Sequence, residues 1–322
     1  MKLKKKEKPV DISLENDPIE LKKGEYVRLL GITSVERTQL YCSNEKYSYL
    51  LELTNNLDFI ATGILDGDLD KMLLISVDKQ EEEKCQFYEK NKIIYLIYGK
   101  FPDKKGKWVL EQMSNHFSEI LDGKDVEKLD KFEKHNIELE FKRRTKFILE
   151  QYVKLQEIFT DQEIPYVEDE IRIDYLGLSS MSIGVISLLL GEENLKFESL
   201  GEFDDPDEEK EMKESMLTAK IEAIAANTQG NTGAIPRWIA VKLGFQRYRF
   251  LTFKKYQNDY FLSMLSEGNL GKIDQVEQLL DPHINEKTNS TFTGNLKPFN
   301  ELKFTLIKKF SRRKKFPPFD FN

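Results

Sequence analysis

The chain contains little cysteine and no long hydrophobic run, and both shortages narrow the classes of protein that it can represent. Only Cys42 and Cys85 occur among 322 residues, and they lack the spacing of a metal or redox motif. So few cysteines are typical of a protein in a reducing cytoplasm. No segment approaches the roughly 18 uninterrupted apolar residues of a membrane-spanning helix. The start, "MKLKKKEKPV", has no apolar region behind its lysines, so we expect no secretory signal.

Catalytic and metal-binding patterns are also missing. The three histidines, His116, His135 and His283, lie far apart, and none has a second His or Cys at the spacing of metal ligands. No GxSxG nucleophile elbow occurs. Carboxylates are abundant, but they fall in acidic runs that are typical of a solvated surface. We therefore predict a protein that is not an enzyme and that has no catalytic, cofactor-binding or metal-binding residues.

The segment "KIIYLIYGKFPDKKGKWVLEQM" begins at Lys92 and contains the pair Gly106-Lys107. Because phosphate-binding loops contain a Gly-Lys pair, we compared this segment with them. A P-loop requires GxxxxGK followed by Ser or Thr, but here Trp108 follows, and Gly99 stands at the wrong distance. We interpret the glycine as part of a strand-to-helix corner, with Trp108 packed in the first helical turn. The glycine-rich "NTQGNTGAIP" follows a helix, whereas phosphate loops precede one, so it indicates a helix end and connector.

Hydrophobic periodicity gives the same order of elements twice. The first half begins with two strands, "EYVRLLGIT" and "TQLYCS", and a helix from about Asn44. Three strands follow, "DKMLLISVD", "EKCQFYEKN" and "KIIYLIYGKF", and then a second helix. A long helical pattern then covers residues 126 to 159. The second half has strands in "IRIDYLGLSSMSIGVISLLLG" and "NLKFESLG", an alanine-rich helix from about Met212, strands "RWIAVKLG", "YRFLTFKKYQ" and "DYFLSMLSEG", and a helix that ends before Pro282.

These elements suggest five segments. We predict a flexible N-terminus (1–23), a first domain with a long C-terminal helix (24–160), a linker around Pro165 (161–170), a second domain (171–285), and a polar linker with a basic amphipathic tail (286–322). A net charge of −7 gives no general reason to expect nucleic-acid binding.

The repeated order β-β-α-β-β-β-α resembles the roadblock/longin superfamily. Two junctions carry the likeness: the strand "KIIYLIYGKF" entering the helix "KGKWVLEQM", and "DYFLSMLSEGNLGKIDQVEQLL" in the second half. The resemblance covers residues 24–159 and 171–284 and consists of element order and hydrophobic pattern. It implies an α+β chain of two tandem longin/roadblock-like domains, with antiparallel five-stranded sheets, helices and a long connecting helix.

Members of that superfamily are usually non-catalytic; they dimerise, scaffold complexes, and bind or regulate small GTPases, often at membranes. The resemblance therefore implies a cytoplasmic scaffold or regulator of a small GTPase, with a role in membrane trafficking at a membrane surface. Two alternatives stay open. One is a small-molecule sensor or an enzyme with an unrecognised site, and the other is a structural subunit of a larger complex.

The C-terminal region has the strongest local charge. An apolar stripe at helical spacing precedes a basic cluster, formed by Lys308, Lys309, Arg312, Arg313, Lys314 and Lys315. The cluster suggests contact with an anionic membrane or another anionic partner, and the stripe would then enter the lipid interface. A merely solvated tail is the alternative, and nucleic acid is disfavoured by the acidic remainder of the chain.

The resemblance also suggests how the domains pair. In the superfamily, two domains commonly meet through the strand after the first helix and through the second helix. Because bare apolar edges invite pairing with other chains, we expect strands 71–77 and 238–243 to pair within this chain, and a homodimer is the alternative. The residues concerned are Leu73, Ile75, Val77, Ile239, Val241, Leu243, Val109, Met113, Val276 and Leu280.

Overall fold

The fold is that of a computed structural model, which describes residues 12–22, 24–76, 81–155, 171–180, 184–190, 205–244 and 247–310. This part of the chain is mixed α+β, with antiparallel strand pairing and six α-helices. The chain divides into two compact units. The first unit comprises residues 1–55 and 83–162, and the second comprises residues 56–82 and 163–322.

The strands and helices are numbered in chain order. The strands are β1 (Ile19–Lys22), β2 (Glu25–Ser34), β3 (Gln39–Cys42), β4 (Asp68–Ser76), β5 (Glu82–Lys90), β6 (Ile93–Lys100), β7 (Ile171–Ser180), β8 (Gly184–Leu190), β9 (Ala234–Gly244), β10 (Arg247–Lys255) and β11 (Tyr260–Gly268). The helices are α1 (Tyr49–Gly63), α2 (Asp103–Leu121), α3 (Lys131–Lys154), α4 (Pro206–Thr232), α5 (Ile273–Lys287) and α6 (Lys297–Phe310).

In the first unit β2 is the central strand. It pairs with β6 along one edge and with β1 and β3 along the other, and β6 pairs in turn with β5. Alternate residues of β2 and β6 point into a core that also receives α2 and α3, because apolar residues recur at helical spacing on both helices. Edge-to-face aromatic contacts join the layers: the rings of Tyr95 and Phe141 each lie against Phe117.

The helix α3 is shorter than the sequence predicts. A turn of 3₁₀ helix at Val126–Lys128 is followed by extended backbone at Leu129 and Asp130. Asp130 then caps the helix, because its side chain accepts the amide of Glu133 while the Glu133 side chain accepts the amide of Asp130. The 24 residues of α3 span about 36 Å, and residues 156–159 of the predicted helix lie outside the described residues.

In the second unit the strand order is β4-β9-β10-β11-β7-β8, and every pairing is antiparallel. Phe250 and Met264 contribute to a core that α5 and α6 cover with Val276, Leu280 and Leu306. The predicted end of the helix before Pro282 is wrong. The helix α5 continues to Lys287, because Ile284 beyond the proline is fully buried in this core.

The C-terminal segment is also more ordered than the prediction of a separate tail. The helix α6 buries Phe299, Leu302 and Leu306 in the core of the second unit, and it packs on α5 and β8. These three residues belong to the predicted apolar stripe, and their burial in the core means that they are not available to enter a membrane surface. The predicted 161–170 linker, the N-terminal segment up to residue 11, and the strand beginning at Asn194 lie outside the described residues.

The two units share an order of strands. The order β3-β2-β6-β5 in the first corresponds to β8-β7-β11-β10 in the second, with the earliest long strand in the centre beside the latest. Each unit also has a third helix in a corresponding place: α3 packs on α2 and β3, and α6 packs on α5 and β8. Across the described residues, no helix is both long enough and apolar enough to span a bilayer.

Candidate functional site

The glycine of the Gly106-Lys107 pair lies inside α2 and not at the predicted corner before the helix. A Cβ atom at Gly106 would come within 2.3 Å of Gln86 Oε1 and 2.4 Å of the Phe101 ring. The position therefore requires glycine because α2 packs closely on its neighbours. Lys107 is exposed, and Trp108 packs against the core of the first unit. This geometry accounts for the pair by packing, without a phosphate.

The buried cation of this segment is Lys105. Its side chain is only 2% exposed, and its Nζ lies 3.1 Å from both carboxylate oxygens of Glu25. The Tyr152 hydroxyl donates to the same carboxylate at 2.7 Å, so one ion pair joins α2, β2 and α3. Sequence reasoning missed this group. The available signal was position, because Lys105 stands four residues before Val109 on the apolar stripe of α2.

A second polar cluster, the Glu83 cluster, lies on β2, β5 and β6 of the first unit. Glu83 accepts hydrogen bonds from Tyr26 and from Arg28 Nε, each at 2.6 Å, and from the Tyr98 hydroxyl. Arg28 reaches onward to Asp17 at 3.2 Å. Burial alone would raise the pKa of Glu83, but these hydrogen bonds and the charge of Arg28 outweigh it and hold the pKa below its usual value. The carboxylate is therefore an ionised acceptor at neutral pH.

The second unit has a cluster in the corresponding place, which we call the Asp174 cluster. Arg172 binds Asp174 through two hydrogen bonds of 2.7 and 3.0 Å and binds Glu267 at 2.7 Å. Arg247 and Arg249 also face Glu267, at 2.5 and 3.5 Å. Three guanidinium groups thus meet two carboxylates on β7, β10 and β11.

The pKa values of the two carboxylates in the Asp174 cluster are shifted in opposite directions. Asp174 is fully buried, and this burial raises its pKa although Arg172 and Arg249 oppose the shift. Burial would also raise the pKa of Glu267, but the hydrogen bond from Arg247 and the three arginine charges lower it overall. The pKa of Asp174 is raised, but its carboxyl group is fully buried and out of reach of a substrate. These pairs connect strands, and their geometry does not present an acid or base to solvent.

Arg249 additionally holds the chain that leads into β4. Its Nη1 donates to the carbonyl of Leu65 at 2.6 Å. Gly67 lies so close to β9 that a Cβ there would be 2.5 Å from the Lys242 carbonyl. Within the second unit, the segment between α1 and β4 is therefore held to β9 and β10 by both a hydrogen bond and a close backbone approach.

Two of the histidines and both cysteines lie in the first unit. His116 Nδ1 lies 3.3 Å from Arg144 Nη1, and His135 lines a shallow groove beside Cys42. Both cysteines are unbridged and buried; burial raises the pKa of Cys42 to about 11 and that of Cys85 well above its usual value. Within the described residues no group of three or more His, Cys, Asp or Glu side chains is arranged to hold a metal ion.

The strands expected to pair between domains are β4 and β9. Leu73 lies opposite Trp238, and Ile75 lies opposite Ile235. Met72 faces Ile239, and Leu69 faces Val241. Both strands belong to the second compact unit, so they pair inside that unit. Val77 lies outside the described residues.

The other residues expected at the domain contact lie in two cores. Val109 and Met113 are in the core of the first unit, and Val276 and Leu280 are in the core of the second. Leu243 is half-buried at the end of β9, close to Gly67. In the basic cluster, Lys308 and Lys309 belong to α6, whereas residues 312–315 lie outside the described residues.

No model of a known protein family matches the chain, and no curated protein sequence is significantly similar to it.

Proposed function

We propose that the chain is a non-catalytic scaffold or regulator built from two longin-like units, and that it works by binding proteins. The observation that carries the proposal is the repeated arrangement. The strand order β3-β2-β6-β5 in the first unit corresponds to β8-β7-β11-β10 in the second, and α3 packs on α2 as α6 packs on α5. The longin resemblance implies two α+β units with antiparallel sheets and helices, and this repetition supports it.

The chemistry of the buried polar groups supports a structural role for them. Glu83, Glu25 and Glu267 each receive two or more hydrogen bonds or ion pairs from the protein itself. Carboxylates whose oxygens already accept from neighbouring side chains in this way stabilise a fold by linking its elements. Fold likeness alone does not determine function, so these matched groups provide independent support.

The partner class that the resemblance implies is a small GTPase, encountered in the cytoplasm or at a membrane surface. Two exposed apolar side chains offer contact points on the first helices of the two halves: Phe59 on α1 and Met212 on α4. Isolated exposed apolar residues are common on protein surfaces, so the contact has to be tested by substitution.

The test is affinity purification with the full chain as bait, from lysates of its own cells, in parallel with GDP and with a non-hydrolysable GTP analogue. We expect a small GTPase to be recovered preferentially with one nucleotide, and Phe59→Asp or Met212→Asp to reduce its recovery. The matched control is Phe304→Asp, which changes an exposed phenylalanine on α6. Recovery that is equal with both nucleotides and in every variant would refute the proposal of GTPase regulation.

A further inference from the structure

The outer side of α3 carries three exposed apolar side chains in a row. Phe132, Leu139 and Phe147 are 73%, 49% and 50% exposed. Their separations of seven and eight residues are close to two helical turns, so they lie on one side of α3 and form a ridge about 22 Å long. Side chains two turns apart are the pattern by which one α-helix receives another.

A groove runs beside the middle of this ridge. It has a volume of about 600 Å³, and Leu139 forms part of one wall. The opposite wall is the chain segment before β1, which contributes Ile12 and Leu14. Both walls belong to the first unit. Ile12 is buried in the core and Leu14 packs against it, so the apolar wall is anchored and does not have to form when a partner arrives.

The charge of the groove is predominantly positive. Lys142, Arg143 and Lys146 line it, against the single carboxylate of Glu15. The nearest counter-charge of Arg143 is Glu140 at 3.4 Å, and the Arg143 side chain is 81% exposed, so this pair is weak and water-screened. A local excess of cations beside apolar side chains fits a segment that presents carboxylates along an apolar stripe.

We propose that the ridge and groove of α3 form a docking surface for an acidic amphipathic α-helix of a partner protein. The apolar stripe of that helix would cover Leu139 and the two phenylalanines. Its carboxylates would face Lys142 and Arg143. This is recognition of a helix in a groove, with apolar anchors for affinity and charge for orientation. It rests on the proposed role as a protein-binding scaffold and names a surface and a partner chemistry for it.

The experiment uses the full chain and two labelled peptides of about three heptads, both with Leu at the a and d positions. One has Glu at e and g, and the other has Lys there. Fluorescence anisotropy measures the affinity of each. The variants are Leu139→Asp and the double reversal Lys142→Glu/Arg143→Glu. Phe304→Asp on α6 is the control, because it places the same charge at another exposed apolar residue that does not belong to the ridge.

We expect the wild type to bind the Glu peptide and not the Lys peptide. Leu139→Asp should lower the affinity about tenfold, since it removes a buried leucine contact. The double reversal should exchange the preference, so that the Lys peptide binds better. Phe304→Asp should change nothing. Circular dichroism of each variant confirms that the fold is retained.

Three results would overturn the proposal: no binding of the Glu peptide, equal binding of both peptides, or affinity unchanged by Leu139→Asp. A dimer of the wild type in sedimentation that Leu139→Asp abolishes would also overturn it, because the occupant would then be a second copy. If the peptides do not bind but a GTPase is still recovered by affinity purification, the docking surface is rejected and the proposed function is not. Peptide binding without a GTPase would reject only the GTPase assignment.

Discussion

The Glu83 and Asp174 clusters occupy corresponding corners of the two units but are built from different side chains. Both lie on the first long strand and the last two strands, near the end where the last strand leads into the second helix. In the first unit, Glu83 is surrounded by tyrosine hydroxyls and Arg28. In the second, two carboxylates face three arginines.

In both units polar side chains therefore link the strands at this corner, but the side chains that form the links differ. A phenol network ties β2, β5 and β6 at modest desolvation cost, because tyrosine stays neutral. A cluster of buried charges ties β7, β10 and β11, and each member depends on its partners. We therefore expect the second unit to be more sensitive to loss of one cluster residue than the first.

The largest effect is expected for Arg172→Ala. It removes both hydrogen bonds to Asp174, and among the described residues the cation that then lies nearest to this fully buried carboxylate is Arg249, at 4.0 Å. An unpaired buried charge costs about 3–5 kcal/mol, and chemical denaturation should show a loss of that size. The control is Arg143→Ala, an exposed arginine on α3, which should change stability by no more than about 0.5 kcal/mol. Equal losses of stability for Arg172→Ala and Arg143→Ala would contradict the claim that the Asp174 cluster is sensitive to the loss of one residue.

The second-largest effect is expected for the loss of a buried leucine in α6. Leu306→Ala in α6 should cost about 2–5 kcal/mol of unfolding free energy, because it leaves a cavity in the core. Phe304→Ala, two residues earlier on the same helix but 73% exposed, should be nearly neutral. Urea titrations of both variants measure the contrast. A neutral Leu306→Ala would mean that α6 is a free tail, as the sequence alone suggests.

A smaller effect is expected for Glu83→Gln, with a distinctive dependence on pH. The pKa of Glu83 is lower in the folded protein than its usual value of 4.5. Its stabilising contribution is therefore complete above pH 4.5 and is lost as the pH falls through the folded-state pKa, because the unfolded chain takes up the proton first.

Glu83→Gln should consequently lower stability at pH 7 by about 1–3 kcal/mol and reduce the slope of stability against pH below 4.5. Unfolding curves across this range measure both quantities. A variant that loses stability equally at pH 7 and pH 3 would show that ionisation of Glu83 has no part in the cluster. Glu119→Gln, an exposed carboxylate on α2, serves as the control.

The smallest expected effect concerns the reactivity of the two cysteine thiols. Cys42 and Cys85 should react slowly with a thiol reagent at neutral pH in the native protein, because both are buried and burial raises the pKa of each thiol. Both should react at once in denaturant. Mass spectrometry of the labelled protein distinguishes the two sites, and rapid native labelling of Cys85 would contradict its full burial.

Most of the regular elements could be predicted from the sequence, but β1 could not, because Ile19–Lys22 lies in the segment 1–23 that the sequence predicts to be flexible. The strands from Glu25, Lys92 and Tyr248 have dense apolar or alternating patterns, so their existence follows from local periodicity. The start of α3 could not be placed because residues from Val126 continue the helical spacing, whereas the capping box at Asp130 sets the beginning.

The docking of α6 and the polar clusters needed the three-dimensional structure. Phe299, Leu302 and Leu306 read equally well as a membrane-facing stripe, because periodicity identifies an apolar face but not what covers it. Asp174 and Glu267 are about ninety residues apart in sequence and meet only because β7 pairs with β11. Lys105 is a buried charge that has a local signal, its place on the apolar stripe of α2.

The position of α6 as the third helix of the second unit carries the proposed function, and hydrogen–deuterium exchange tests it most directly. The full chain is compared with a chain that ends at Asn295, just before α6. We expect truncation to increase exchange at β7, β8 and α5, because the core that Leu302 and Leu306 complete would open. Unchanged protection of these elements would contradict a docked third helix and, with it, the likeness of the two units.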